Sequence, residues 1–574
     1  MTAWWVLTSV GVLLGLLVQG RFSPAVLFGG WATGYLVLGV VSEQQWLSSF
    51  TNPALITLLV LMLVSLALER SPLLERFSGA LLKGNESLAS LRLMGVTAGL
   101  SAFLNNTAVV GSLLGVISRQ RHIPASRLLI PLSFASVLGG VTTLIGTSTN
   151  LVVNSFVVNA GLPALGMFEF AAVGVPVALL CLMVLMFSAR LLPQNGMKDE
   201  ESAQPYFLEA RVQPGAALVG RSIEQNRLRS LDGLFLLEIV RNDRLISPVA
   251  PDEILEANDV LVFTGEVKKV QALQPFSGLE LFGNGVDRLL ASNLVEVVVS
   301  NESELAKRTL QEVDFRTMFN AGVVGIRRGN KRLTGQLGKI PLRVGDSLLL
   351  AVGADFTQHR NLDRNFHLLG KMQRPKLSNR QSVLAFAGFG AVIAMAALNL
   401  LPLLNGLLLL LAGLLLSRML TLSELRRRFP FELVVIIGSA LTVAKAMDSS
   451  GAAQLVADGM RALFNGHGVF GAFAGVYLMT LLLTETVTNN AAAALAFPIG
   501  LSTAQAFGVD PMPFIMAVAF GASACFMVPF GYQTHLMVYS PGRYRMVDYI
   551  KTGLPVSLAY SAGVIALVPV VFPF

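Results

Sequence analysis

Apolar runs of bilayer length fall in two blocks, residues 1–193 and 378–574. Between them, from Lys198 to Lys376, charges are frequent and no run could cross a membrane. A spanning helix needs about 20 consecutive apolar residues. In hydrocarbon every backbone polar group has to be satisfied inside the protein. The two blocks are therefore expected to fold as helices packed in a bilayer, with the stretch between them as a water-facing insert. Hydrophobic residues make up 53% of the chain and charged ones 14%, which is unlike an ordinary soluble domain. The net charge of +8 then reads as basic loops on one membrane face, not as a nucleic-acid surface. Cys181 and Cys525 both lie in apolar runs and form neither a disulfide framework nor a metal spacing. The first apolar run, Trp4 to Val18, lacks a basic leader and a cleavage site and reads as a retained span. There is no nucleophile–base constellation, metal-ligand cluster or phosphate loop, so an enzyme is not expected.

The insert repeats itself at an offset of 87 residues. Glu209 meets Glu296, Leu218 meets Leu305, Arg221 meets Arg308, Arg241 meets Arg328 and Asp259 meets Asp346. Each copy, within 194–285 and 286–377, reads as strand, short helix (218–228 and 305–315), strand, hairpin and last strand. The "L-x-G-R-S-I" helix start and the acidic turn before the last strand make each copy resemble the RCK-C (TrkA-C) domain, over about 205–270 and 292–357. That resemblance implies an α+β module that oligomerises or binds a small regulatory ligand.

In the first block, spans are expected near 3–19, 23–41, 52–69, 128–158 and 170–190, with an amphipathic piece near 72–88 and a polar-tipped segment at 92–118. The second block offers 380–400, 403–418, 431–447, an amphipathic piece near 450–464, a polar-tipped segment at 469–500, and spans near 511–540 and 553–571. If both polar-tipped segments enter and leave on one face, the clusters around Arg70, Arg76, Lys83, Arg119, Arg121, Arg127, Arg190, Arg426, Arg427, Arg428, Arg543 and Lys551 share a side. The loops 42–52, 159–170, 401–406 and 501–513 carry no Lys or Arg. The positive-inside rule then puts the insert in the cytoplasm and both termini outside, in a prokaryotic plasma membrane, with Arg461 as the main exception.

Each block thus has one element order, entered from opposite sides. This is an inverted repeat, an architecture that sets a substrate near the midplane between halves. The polar residues line up across it. Ser101 precedes Asn105, Asn106 and Thr107, as Thr484 precedes Thr488, Asn489 and Asn490. Each hydroxyl lies four residues before its tip, one helical turn back. Downstream each long span is interrupted, by "GGVTTLIGTSTN" (139–150) and by "ACFMVPFGYQTH" (524–535). Half-helix C-termini leave carbonyls for a hard cation, and N-termini leave N–H groups for an anion. No Lys or Arg sits at either tip, so an anion would be held by dipoles, amides and hydroxyls. Glu485, an acid in an apolar hairpin, reads as a scaffold, a proton acceptor or a water-facing group. His535, in the second break, has a proton or substrate role or neither.

These motifs make both blocks resemble the divalent anion:sodium symporter family of the ion-transporter superfamily, with the insert outside the match. That family carries Ser-Asn-Thr at each tip, recognisable in Asn105-Asn106-Thr107 and Thr488-Asn489-Asn490. Its first break, Gly-x-Pro-Pro-Asn, corresponds to Gly146-Thr147-Ser148-Thr149-Asn150, and its second to Gly531-Tyr532-Gln533-Thr534-His535. The resemblance implies two sodium sites, one from Ser101, Asn105, Asn106, Gly146 and Asn150, the other from Thr484, Thr488, Asn489 and Gly531. It implies a substrate anion held by the tips together with Ser148, Thr149, Gln533 and Thr534, and an elevator motion within a homodimer. The tandem insert resembles the sulfur-related branch, which makes sulfate the leading substrate and a dicarboxylate the second. An oxyanion exporter or antiporter and a membrane sensor that does not transport are the rival functions.

Overall fold

The computed structural model describes the chain except for residues 1, 20–21, 72–80, 83, 120–121, 195–205, 229–230, 232–233, 243, 247–248, 266–275, 277, 283–293, 301–302, 314, 334–336, 353–355, 357–361, 369–376, 464–465 and 467. Most of the amphipathic segment read at 72–88 lies outside the described residues, as do Arg76, Lys83 and Arg121.

The first block contains α1 (Thr2–Gln19), α2 (Pro24–Val37), α3 (Glu43–Phe50), α4 (Pro53–Glu69), α5 (Glu86–Ser101), α6 (Asn106–Arg119), α7 (Ala125–Gly140), α8 (Ser148–Asn159) and α9 (Ala171–Ser188). The second contains α10 (Asn379–Ala397), α11 (Leu403–Leu416), α12 (Leu422–Arg427), α13 (Phe431–Ser449), α14 (Ala452–Leu463), α15 (Gly468–Thr486), α16 (Asn489–Phe507), α17 (Met512–Ala522), α18 (Gln533–Tyr539) and α19 (Met546–Val571). The order is shared: two helices, a short helix leading into a long one, a polar-tipped pair, a broken pair, and a closing helix; the second block adds α14 before its polar-tipped pair, where the first block's corresponding stretch lies mostly outside the described residues. Six described helices are long and apolar enough to cross a membrane. The last begins at Met546, well before the expected 553.

Both tips fall between helices, at Ala102–Asn105 and Val487–Thr488. At about 1.5 Å per residue, α5 and α6, with 16 and 14 residues, reach roughly 24 and 21 Å, short of the roughly 30 Å hydrocarbon core. The broken spans lie deepest. In α7 every residue from Leu128 to Gly140 is buried, as is every residue of α17 from Pro513. The closing helices α9 and α19 pack on each other. Each also presses a glycine on its own half's break: a Cβ on Gly174 would lie 2.8 Å from Val141 O, and one on Gly553 would overlap Phe526 O.

The insert holds two five-stranded sheets. The first is made of β1 (Tyr206–Val212), β2 (Leu234–Arg241), β3 (Arg244–Ile246), β4 (Val260–Gly265) and β5 (Leu279–Phe282). The second is made of β6 (Leu294–Val299), β7 (Ala321–Arg328), β8 (Lys331–Leu333), β9 (Ser347–Val352) and β10 (Phe366–Leu368). The orders, β3-β2-β4-β1-β5 and β8-β7-β9-β6-β10, correspond strand for strand. Each sheet has its own apolar core. In each, a buried aspartate takes a bidentate arginine: Arg241 on Asp259 (2.8 Å) and Arg328 on Asp346 (2.7 Å). These bonds push both guanidinium pKa values above the ordinary arginine range. Two details differ from the sequence reading. A fifth strand completes each sheet, and of the expected short helices at 218–228 and 305–315, residues 218–228 and 305–313 are turns closed by the bridges Ser222–Ile254 and Thr309–Pro341, with a one-turn helix opening only at Phe315. Gly220 (φ +80°) and Lys307 (φ +68°) occupy the same place in the two copies, and that left-handed conformation interrupts a right-handed helix.

Candidate functional site

Three helix N-termini, those of α6, α8 and α16, converge from the two blocks around the hydroxyl of Tyr532. It accepts from Asn106 Nδ2 at 3.2 Å and shares a bond with Thr147 Oγ1 at 2.8 Å, with Asn489, the first residue of α16, beside it. Two further contacts cross between the halves: Thr107 Oγ1 donates to Gln533 Oε1 at 3.1 Å, and Thr149 Oγ1 to Asn490 Oδ1 at 3.4 Å. Thr147 and Thr488 stand at the N-caps of α8 and α16 without bonding their own helix N–H groups. Those N–H groups, with the positive ends of the helix dipoles, suit an anion. Asn105 works locally, since its Oδ1 accepts from Thr107 N at 2.9 Å and opens α6. Ser148 is the first residue of α8 and half-buried. Thr534 is fully buried, and its Oγ1 has no hydrogen-bond partner among the described residues.

Behind this meeting point the first half makes an oxygen cradle. Ser101 ends α5 and Gly140 ends α7, so both bring helix-end carbonyls. A Cβ placed on Gly140 would meet Asn106 Oδ1 at 2.8 Å and Gly146 O at 3.0 Å. One on Gly146 would meet Gly140 O at 2.5 Å and Ser101 O at 2.9 Å. Asn106 Oδ1 and Ser101 Oγ are buried and lack hydrogen-bond partners among the described residues. Unpartnered buried oxygens are costly, and a cluster of neutral oxygens is what a hard cation takes as ligands. The loop is held around them by Thr143, whose hydroxyl donates to Ala102 O and accepts from Gly146 N (3.1 Å), and whose carbonyl accepts from Asn150 Nδ2 at 2.8 Å. Asn150, expected as a ligand, gives its Nδ2 to this bracing, a bond that does not engage its Oδ1. A sodium ion fits the first half.

The second half does not offer the same cradle. Thr484, the counterpart of Ser101, donates to Asn489 Oδ1 (3.0 Å) and Ala522 O (2.6 Å), so these oxygens satisfy one another. Where the first half has Gly140, six residues before Gly146, the second has Cys525, six before Gly531. A Cβ on Gly531 would overlap the Cys525 thiol, which fills the space that the first half leaves to oxygens. Glu485 completes the closure: its Oε1 accepts from Phe526 N and Met527 N, each at 3.1 Å, and its Oε2 faces Cys525 Sγ at 3.5 Å. The second of the two expected sodium sites, at Thr484, Thr488, Asn489 and Gly531, is therefore not the equal of the first.

His535 is fully buried and both ring nitrogens are occupied. Ser133 Oγ bonds Nδ1 at 2.7 Å and Nε2 bonds Cys525 O at 2.8 Å. A carbonyl only accepts, so the ring proton is on Nε2. Lys445 is tied to Ser48 Oγ at 2.8 Å, and Arg461 to Ala506 O at 3.1 Å. Among these groups the sequence alone assigns no site role to Tyr532, Thr147, Thr143, Gly140 and Cys525. The signal available for them was their position inside the two breaks.

A cluster of helix ends shared by two apolar blocks, with no Lys or Arg at either tip, suits a membrane transporter, and comparison with known proteins gives the family. A family model described as citrate transporter matches residues 3–571, a span that includes the insert, which the resemblance of the two membrane blocks does not cover. A putative sulfur deprivation response regulator of Chlamydomonas reinhardtii is 32% identical over 566 residues, 94% of this chain and 96% of that protein. An uncharacterized transporter of Synechocystis is 30% identical over 565 residues, 94% of this chain and 92% of that protein. Sodium/sulfate cotransporter 1 of Chlamydomonas reinhardtii is 29% identical over 381 residues, 63% of this chain and 42% of that protein. The chain belongs to the citrate transporter family.

Proposed function

We propose that the protein is a sodium-coupled symporter that imports a small divalent anion, sulfate first. The observation that carries this is the meeting of three helix N-termini around Tyr532 and Thr149, beside an oxygen cradle built on the same Asn106. A sodium ion taken by Ser101 O, Asn106 Oδ1, Gly140 O and Gly146 O draws in the Asn106 side chain. That side chain's Nδ2 faces Tyr532 and the helix ends that receive the anion, so cation and anion sites share one residue. Coupling follows from this sharing, because each ligand orders what the other binds. One sodium site of this kind is proposed, in the first half. Glu485 braces the second break. Relatives named as sodium/sulfate cotransporters support sulfate as substrate, and the family's description keeps citrate and other carboxylates in the comparison.

In this reading the hairpins are re-entrant, the halves are an inverted repeat, and the insert, two RCK-C-like modules with a regulatory role, faces the cytoplasm of a dimer. The test is uptake of labelled sulfate by proteoliposomes under a sodium gradient, against thiosulfate, succinate, citrate and phosphate as competitors. Uptake should need sodium and vanish with Asn106→Ala. Uptake driven equally well by potassium, or untouched by Asn106→Ala, defeats the proposal. Competition by citrate and not by thiosulfate moves the substrate to the carboxylates.

A further inference from the structure

The second sheet of the insert does not hang free. Its β7–β8 turn and its turn before β9 both seat on the chain around α18. Gly329 N donates to Ser540 Oγ at 3.2 Å, and Ser540 Oγ in turn donates to Gly345 O, in a fully buried contact. A Cβ on Gly329 would lie 2.8 Å from Tyr544 O and 3.0 Å from the Tyr539 ring. One on Gly345 would lie 3.2 Å from Leu536 Cδ2.

The first sheet supplies an internal control. Its matching turn residues are Asn242 and Asn258, with φ of 49° and 71° against 57° and 83° for the two glycines. Asparagine tolerates this left-handed backbone, so backbone conformation does not require glycine at either place. Both asparagines are exposed, whereas both glycines are buried under the membrane half. Glycine stands where close approach demands it. The docking is thus written into one copy of the repeat and not the other.

The seat also reaches the candidate site. Val344 and His367 of the second sheet line one recess with Gln533, Leu536 and Met537, and Gln533 is the partner of Thr107. Beyond this domain, Leu377 N donates to Arg70 O at 3.2 Å, and Arg70 is held by Glu424 at 2.8 Å. The domain therefore grips the broken span, and Leu377 is bound at the end of α4.

We propose that the second insert domain is a clamp on the second break: seated, it holds α18 and the tip contacts of Gln533 in place, and its release frees them. The transport consequence, a change in turnover, rests on the symporter reading; the docking does not.

The test is hydrogen exchange read by mass spectrometry on the full-length protein in lipid nanodiscs. It compares wild type, Gly329→Asn with Gly345→Asn, Ser540→Ala, and a control with Asn242→Gly and Asn258→Gly. The double asparagine variant copies residues the first sheet already carries, and Ser540→Ala reaches the same seam without touching either turn. Exchange in peptides covering 536–545, 526–535 and 102–107 is expected to quicken about ten-fold or more in both seam variants, with the β1–β4 peptides and the control unchanged. Wild-type exchange at 536–545 overturns the docking, and a change confined to 536–545 overturns the clamp. Proteoliposome uptake on the same variants adds a separate arm. If wild type moves no anion, the symporter reading fails and the exchange data still decide the clamp. If wild type transports and the loosened variants turn over at its rate, control of transport by the clamp is refuted.

Discussion

Tyr532→Phe isolates the link between the two ligand sites. The substitution keeps the ring and its packing and removes one oxygen. That oxygen serves Asn106 Nδ2 (3.2 Å) and Thr147 Oγ1 (2.8 Å). A neutral hydrogen bond is worth about 0.5–1.5 kcal/mol net, so the two first-half bonds together amount to about 2 kcal/mol. Both orient groups around the cradle, one of them the residue whose Oδ1 would face the proposed cation. Where the whole of that energy goes into ordering the cradle, sodium affinity falls about 30-fold, since about 1.4 kcal/mol is ten-fold. Where half of it does, the fall is about five-fold. The assay is a sodium titration of thermal stability, repeated as the sodium concentration giving half-maximal uptake. The expected result is a five- to 30-fold weaker sodium response with the melting temperature in potassium little changed. A sodium titration that overlays wild type would refute the coupling of Tyr532 to the cradle.

Other expectations follow from the same contacts. Gly140→Ala places a methyl 2.8 Å from Asn106 Oδ1 and should abolish sodium stabilisation, seen as a flat thermal-shift titration, whereas Cys525→Ala, at the matching place, should leave the titration intact. Glu485→Gln keeps an Oε1 that accepts from Phe526 and Met527, so sodium-driven uptake should stay within about three-fold of wild type; loss of all uptake would identify a proton carrier instead. Glu485→Ala leaves those two N–H groups without an acceptor, at about 1–3 kcal/mol each, and should lower the melting temperature in sodium and potassium alike. In the insert, Arg328→Ala strands the buried Asp346 carboxylate, which should cost about 3–5 kcal/mol and be visible as protease cutting within 321–352.

What was legible in the sequence was what repeats. The offset of 87 residues matched the strands of the two copies, down to the Arg241–Asp259 and Arg328–Asp346 pairs. The tips were legible because a polar residue in an apolar run is costly to bury and seldom sits there without a task. Tyr532 was not, because an aromatic residue in such a segment looks like packing, and its partners Asn106 and Thr147 lie 426 and 385 residues away. The inequality of the halves was half-visible: Cys525 and Glu485 were noticed singly, but only their contact shows that one fills the cradle and the other seals it. The docked turns escaped notice because Gly329 and Gly345 read as ordinary turn residues. Only the distance to Tyr544 O and Leu536 gives them a second reason to be glycine.

The glycines that α9 and α19 press on the two breaks have a consequence for the lipid around the protein. Gly174 and Gly553 tie each break to a closing helix, and the closing helices are packed together. Their outer faces carry Leu179, Met183, Phe187, Leu554 and Leu558, all exposed and, in a bilayer, wetted by acyl chains. On the proposed mechanism, whatever carries the site across the membrane drags this greasy flank through the lipid. Viscous drag and bilayer thickness then belong to the transport cycle as surely as the gradient does. Thicker or stiffer membranes should slow turnover while leaving the sodium concentration for half-maximal binding where it was.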